Sequence, residues 1–292
     1  MADQEHIQAR LQNIRAVEPI LSAMRTISLG SWQGAINRQA RLRPFSERLL
    51  ALLPPILPYL ARRRRSKTGP AAGRIAVLVI GSERGLCGAF NLNLAAYAQT
   101  CLAQRRTQGV HIELETLGRR IKRILTRRGV EIIQARSLPT TSLPGRELAT
   151  SLVDRWLVRY EAYQIDAVDI VYNAYRNSTL YEPTTVRLIP PTLPDIDVQR
   201  QEWPSPYVDT DLLSLYTHIV RLWMSTEMYR ILLDSAAAEH SARFRLMEGA
   251  TQNCQRLIDE LTLALQSARQ QAITAEMQEL AAGAGLIGGS KG

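Results

Sequence analysis

The apolar residues of this chain change their period twice. From about Tyr207 onward they recur three or four apart, as in Leu257, Leu261, Leu265, Ala268 and Ala272. That spacing marks one face of a helix, not a strand. Between Pro206 and Gly283 there is no proline, and Gly249 is the only glycine. The pattern predicts roughly 75 helical residues, about 110 Å at the helical rise. Ordinary globular helices are far shorter. Such a helix must lie along another helix or inside another protein, so a mechanical role is expected before a catalytic one.

Residues 4 to 53 read as a second long helix. Ile7, Leu11, Ile14, Leu21 and Met24 keep the helical spacing, with Glu18 interrupting the stripe. Pro19 should kink or loosen this helix, because its ring removes one backbone bond. Pro44 is expected to mark another bend, and Pro54, Pro55 and Pro58 to end it. The basic run Arg62-Arg63-Arg64-Arg65-Ser66-Lys67 follows. It reads as a solvated linker, with a contact to lipid headgroups or an acidic neighbour as the sharper alternative.

From Arg74 the period shortens. Ile75 to Ile80 is a continuous apolar run closed by Gly81, as in a strand buried on both faces. Helix is expected over Asn91–Arg106, Gly118–Arg128 and Arg146–Tyr163. Strand is expected over His111–Leu117, Val130–Ala135 and Ala167–Tyr172, with Thr184–Ile189 as a further candidate. Such alternation implies a mostly parallel sheet with helices on its faces. The predicted fold class is therefore α/β. It combines a long antiparallel coiled coil of the N- and C-terminal helices with a Rossmann-like α/β domain. The expected segments are an N-terminal helix (1–60), a basic linker (61–73), an α/β foot (74–206) and a C-terminal helix (207–292).

Composition narrows the function classes. At 46% hydrophobic the chain can bury a core, and at 6% aromatic that core is mainly aliphatic. The net charge of +9 would suit nucleic acid, an anionic membrane surface or an acidic protein. Aromatics are not interleaved with the basic residues, which argues against a stacking platform for single strands. Cys87, Cys101 and Cys254 are odd in number and form no CxxC pair, so neither a disulfide framework nor a Cys-based zinc site is expected. The longest apolar runs are too short to span a bilayer. The first residues, Met-Ala-Asp-Gln-Glu-His, match neither a secretory signal nor a transit peptide.

The most tempting local chemistry is Gly81-Ser82-Glu83-Arg84-Gly85-Leu86-Cys87-Gly88-Ala89-Phe90-Asn91. It follows a strand and opens a helix, as phosphate loops do. Its glycines fall at GxxxGxxG, however, and no Gly-Lys-Ser/Thr follows. A tight turn needing a flexible backbone is the better reading. Cys87 could be a nucleophile at a helix start, but His6, His111, His218 and His240 sit in no partner motif. Glu239-His240 lacks the second histidine of a zincin. Ser235 to Arg243 is dense in small residues, which lets another helix approach closely. Further on, Arg269, Ile273 and Glu276 share one helix face, and Gln270, Thr274 and Met277 the adjacent one. Polar and apolar groups there occupy most of the circumference, as in a helix surrounded by a partner.

Together these stretches resemble the gamma subunit of F-type ATP synthases, the central rotor shaft, over nearly the whole chain. Arg84-Gly85-Leu86-Cys87-Gly88 with Asn91 is similar to the family's Asp-Arg-Gly-Leu-Cys-Gly…Asn turn, with Glu83 in place of the Asp. Ile273-Thr274, Glu276, Glu279 and Gly283-Ala284 resemble its C-terminal signature. So does Ser235 to Arg243 followed by Met247, Ala250-Thr251 and Asn253. The chain departs from the pattern in two places. Ala16 to Met24 lacks the family's basic and hydroxyl residues, although Met24 keeps its place. Trp203 to Asp209 keeps only the Trp and Tyr207 of Trp-Asp-Tyr-x-Tyr-Glu-Pro. Both departures point to a divergent or alternative branch.

The resemblance implies a non-catalytic shaft inside a ring of three alpha and three beta subunits. Its foot would rest with the epsilon subunit on the membrane c-ring, one copy per complex, at the cytoplasmic face of the bacterial membrane. It implies no catalytic, cofactor-binding or metal residues, no cofactor and no nucleic acid. Arg269, Gln270, Thr274 and Glu276 match positions that contact the beta catch loop. Met24 matches a position on the opposing helix near the collar, and Tyr207 a c-ring contact. Two rivals remain: a free-standing coiled-coil scaffold, and a nucleotide-binding enzyme built on the α/β domain.

Overall fold

The computed structural model describes residues 2–53, 73–191 and 211–283. These fall into two compact units, Ser28–Arg243 on one hand and Met1–Ile27 with Phe244–Gly292 on the other. Two helices contribute to both, α1 (Ala2–Ala51) and the 72-residue α5 (Leu212–Gly283). Helix α1 continues through both Pro19 and Pro44, so neither proline ends it.

The unit Ser28–Arg243 is built on a five-stranded sheet. In chain order it comprises β1 (Arg74–Ile80), α2 (Phe90–Thr107), β2 (His111–Leu117), α3 (Arg119–Arg127), β3 (Gln134–Arg136), α4 (Arg146–Glu161), β4 (Ala167–Tyr175) and β5 (Tyr181–Ile189). The strand order is β3-β2-β1-β4-β5. The first four strands are mutually parallel, and β5 lies antiparallel on β4. β1 shows why its sequence is apolar without alternation. Ala76, Leu78 and Ile80 face one layer, with Leu152, Val153 and Trp156 of α4 and Ile219, Met224 and Met228 of α5. Ile75, Val77 and Val79 face the other, with Leu94, Ala98 and Leu102 of α2 and Ile121 and Leu125 of α3. Both faces are dry, so no polar position is tolerated.

Three expectations need adjusting. The strand expected over Val130–Ala135 is only Gln134–Arg136, because the chain before it meets β2 through a single bond, Ile133 N–H to Leu114 O at 2.9 Å. The helix expected to reach Tyr163 stops at Glu161. Tyr163 takes φ 58° and its N–H turns back to Tyr160 O at 3.1 Å. The candidate strand over Thr184–Ile189 is real and starts earlier, at Tyr181.

The first turns of α5 were not legible as sheet cover. They form a layer of the α/β unit, with Ile231, Leu232 and Leu233 buried beneath the sheet. Beyond them the small-residue stretch serves two neighbours at once. Ala236 and Ala237 cluster with Ala35, Trp32 and Ile36 of α1. Ala238 and Ala242 cluster with Cys87 and Phe90 from the turn after β1. The first contact is the one expected; the second is new. Gln39 Nε2 donates to Asp234 Oδ1 at 3.3 Å, whereas Ala35 meets Ala236 and Ala237, so the two helices run antiparallel here.

The other unit consists of α1 up to Ile27 and α5 from Phe244. Leu11 on α1 and Met247 and Leu265 on α5 are its buried apolar residues. The basic run Arg62 to Lys67 and the stretch Trp203 to Asp209 lie outside the described residues.

Candidate functional site

The turn between β1 and α2 is held from inside. Asn91 is buried; its Oδ1 accepts from Ser82 N–H at 3.0 Å, and its Nδ2 donates to Ser82 Oγ at 2.7 Å and to Cys87 Sγ at 3.4 Å. Ser82 Oγ in turn donates to Arg84 O at 2.5 Å. Gly81 has to be glycine, since a Cβ there would stand 2.4 Å from Ile121 Cβ. Gly118 has φ 108°, and a Cβ would meet the carbonyls of Gly81 and Ser82 at 2.8 Å. Backbone of the two loops therefore touches directly. The turn is a packing device, and its inward groups are used up on each other.

Glu83 replaces a shorter acid of the resembling family, and its reach is used. Its carboxylate accepts from Arg119 N–H and Leu138 N–H, both at 3.0 Å, and pairs with the Arg119 guanidinium. Gly118 offers no side chain to cap α3, so Glu83 does it from across the sheet top. Burial alone would raise its pKa; the two backbone donors and Arg119 outweigh burial and hold the carboxyl below the usual range.

Helix α5 closes over this turn with charge. Arg243 donates through Nε and Nη2 to Gly85 O, each at 3.3 Å, pairs with Glu239, and lies 3.2 Å from His240 Nδ1. Burial and then the Arg243 charge push His240 down to about 4. Burial, reinforced by Glu239, pushes the Cys87 thiol up. Cys87 is thus a protonated, buried group that packs against Phe90, unlike a nucleophile, which needs a depressed pKa and access.

The proposed partner-facing residues lie elsewhere. Arg269, Gln270, Thr274 and Glu276 share two turns of α5 and are all exposed. Thr274 Oγ1 donates to the main-chain carbonyl of Gln270 at 2.8 Å. Around them Ile273, Met277 and Leu280 are 57%, 66% and 73% exposed. Met24 is half-buried on α1, in the same unit. Tyr207 lies outside the described residues. Arg84, Gly85, Leu86, Cys87, Gly88 and Asn91 belong to the α/β unit, where Arg84 and Leu86 face solvent. Among the described residues no group of His, Cys, Asp and Glu could hold a metal ion, and no helix is long and apolar enough to cross a membrane.

Relatives of the chain agree with this arrangement. It is 29% identical to the ATP synthase gamma chain of Glaesserella parasuis, covering 98% of this chain and 100% of that one. It is also 29% identical to the gamma chain of Pelotomaculum thermopropionicum, over 96% and 98% of the two chains. The fold is similar to a chain of the Euglena gracilis mitochondrial ATP synthase, OSCP/F1/c-ring, with TM-score 0.65, 14% identity, and 98% and 95% coverage. It is similar to a chain of the Tetrahymena thermophila mitochondrial ATP synthase central stalk/c-ring, with TM-score 0.58, 19% identity, and 79% and 99% coverage. A family model described as ATP synthase matches residues 3–285. With that match running through both long helices and the sheet between them, the chain belongs to the ATP synthase family, among its gamma chains.

Proposed function

We propose that this chain is the central rotor shaft of an ion-translocating F-type ATP synthase. It is a non-catalytic subunit. It couples rotation of the membrane c-ring to conformational cycling of the catalytic beta subunits. An asymmetric shaft does this by touching each beta subunit with a different face in turn. Only unequal contact with the competing states can shift their populations. The observation that carries this reading is the family match over residues 3–285, which takes in the exposed end of α5 as well as the sheet.

Its partners are the alpha and beta subunits of the head, the epsilon subunit and the c-ring, with one copy of the shaft per complex. The complex is membrane-bound and this chain is a peripheral part of it. We place it on the cytoplasmic face of a bacterial membrane. Within the chain, we assign 1–60 and 207–292 to the shaft, 61–73 to a basic linker and 74–206 to the foot. Arg269, Gln270, Thr274, Glu276 and Met24 are assigned to contacts with the head, and Tyr207 to the c-ring. The departures at Ala16 to Met24 support a divergent branch.

Affinity purification of the tagged chain from native membranes tests the proposal. Recovery of alpha, beta, epsilon and c subunits in one complex with a single copy of this chain is expected. Recovery of the chain without head subunits would overturn the shaft reading in favour of a free-standing scaffold.

A further inference from the structure

Positive charge is concentrated on one short helix, none of whose residues is among those assigned above to the head or the c-ring. Gly118 to Arg136 carries seven Lys and Arg against the single carboxylate Glu131, a net +6 in a chain whose total is +9. The stretch contains α3 and its flanks. Ile121 and Leu125 are buried against α2 and the sheet, which turns Arg119, Arg120, Lys122, Arg123 and Arg127 toward solvent. Arg119 is paired with Glu83. Arg120, Lys122, Arg123, Arg127 and Arg128, with Arg106 at the end of α2, are exposed and have no carboxylate within ion-pair distance among the described residues.

The contrast with the rest of the α/β unit is informative. There several arginines have carboxylate partners: Arg155 with Glu115, Arg159 with Glu113, Arg187 with Asp169, Arg221 with Asp154 and Arg243 with Glu239. On α3 the like charges face one another with no internal relief. Self-repulsion of this kind costs stability unless an external anion offsets it.

We propose that the outward face of α3, extended by Arg106 of α2, is a docking surface for anionic lipid headgroups. Charge complementarity selects an anionic occupant, and the chain's membership of a membrane-bound complex selects a lipid one. None of its six cations lines the cavities of about 360 and 290 Å³ found elsewhere in the unit. No Phe, Trp or Tyr occurs between Tyr97 and Trp156, so nucleic-acid bases find nothing to stack on. The apolar side of α3 is sealed in the core. Binding is therefore electrostatic, without insertion, and falls steeply with salt. This rests on the peripheral-membrane reading but not on rotation itself.

The test is co-sedimentation of the full chain with vesicles of phosphatidylcholine alone or mixed equally with phosphatidylglycerol. The wild type binds the mixed vesicles, not the neutral ones, and added salt releases it. Combining Lys122→Gln, Arg123→Gln and Arg127→Gln, none of which has a carboxylate partner, lowers partitioning about 100-fold, with a thermal unfolding midpoint no lower than that of the wild type. Failure of the wild type to bind, or equal binding by the triple variant, would overturn the proposal. So would a triple variant that binds vesicles normally yet loses subunits on purification, which would make α3 a protein contact. Subunit recovery by the wild type is read separately, so the shaft reading can survive failure of this one.

Discussion

Asn91 satisfies one side of a turn whose other side is closed by Arg243, and His240 lies beside Arg243. Its ring lies 3.2 Å from Arg243 and is held neutral, at about 4 against an ordinary value of 6.5. A base whose folded value is depressed contributes stability above its unfolded pKa and loses it as pH falls toward the folded value. The window is therefore pH 6.5 down to about 4. Glu83, also lowered, acts in the same direction but below its ordinary 4.5, whereas Glu239, raised by burial, acts in the opposite direction. The difference between wild type and His240→Gln isolates the histidine. The expected outcome, by urea unfolding, is a wild type that loses up to about 3 kcal/mol across this window and a variant with a correspondingly flatter profile. Equal slopes would count against it. Little of this was legible in the sequence. The glycines, Cys87 and Asn91 announced a turn, but the reach of Glu83 to Leu138 spans 55 positions and is fixed only by the sheet. Arg243 over Gly85 spans 158, and no local spacing encodes it.

At the level of elements, periodicity reported what each strand buries rather than where it pairs. β1 and β4 are interior strands buried along nearly their whole length, β1 continuously apolar and β4 interrupted by Asp169 and Asn173, and both were readable. β3 is a three-residue edge, and its apolar lead-in Ile132-Ile133 imitated a longer strand. β5 alternates weakly because only its end, Leu188 and Ile189, is buried. What fixes β5 is partly charge. Asp169 stands on central β4 opposite Arg187, which donates to it from Nε at 2.7 Å and Nη2 at 3.2 Å, and Arg105 of α2 pairs with it from above. The carboxylate is 1% exposed, so it depends on both cations. The hydrogen bonds that Arg187 donates to Asp169 hold the Arg187 pKa above its usual value despite burial. Asp169→Asn keeps the shape and removes the charge. Because the arginines remain partly solvated, the cost should fall at the low end for a broken buried pair, about 2–3 kcal/mol. A urea midpoint unchanged from wild type would show that the pair merely breaks even. The same scale explains the largest omission in the sequence reading. The 3–4 spacing at the start of α5 looks the same whether a helix faces another helix or a sheet, and here it faces the sheet.

For the molecule as a whole, the decisive feature is a contrast along α5. Ile231, Leu232, Leu233, Ala237 and Ala238 are buried within the chain, whereas Ile273, Met277 and Leu280 expose well over half their surface. Large apolar groups this exposed, mixed with Arg269, Gln270, Thr274 and Glu276, are what the proposed contact with the head requires. The shaft reading makes that partner the head of the synthase. Gln270 is the informative position because it is exposed and its side-chain amide has no hydrogen bond among the described residues; Thr274 Oγ1 bonds only its main-chain carbonyl. Gln270→Leu should therefore leave the unfolding midpoint within about 0.5 kcal/mol of wild type. On the proposed assignment of Gln270 to the head, the substitution removes a polar contact that differs between rotational states, and slippage follows because the states are then less unequal in their contact with the shaft. Reconstituted in vesicles, the variant should pump fewer ions per ATP hydrolysed while hydrolysis continues. Pumping per ATP equal to wild type would show that Gln270 carries no coupling. Loss of hydrolysis and pumping together would instead place the residue in assembly of the head.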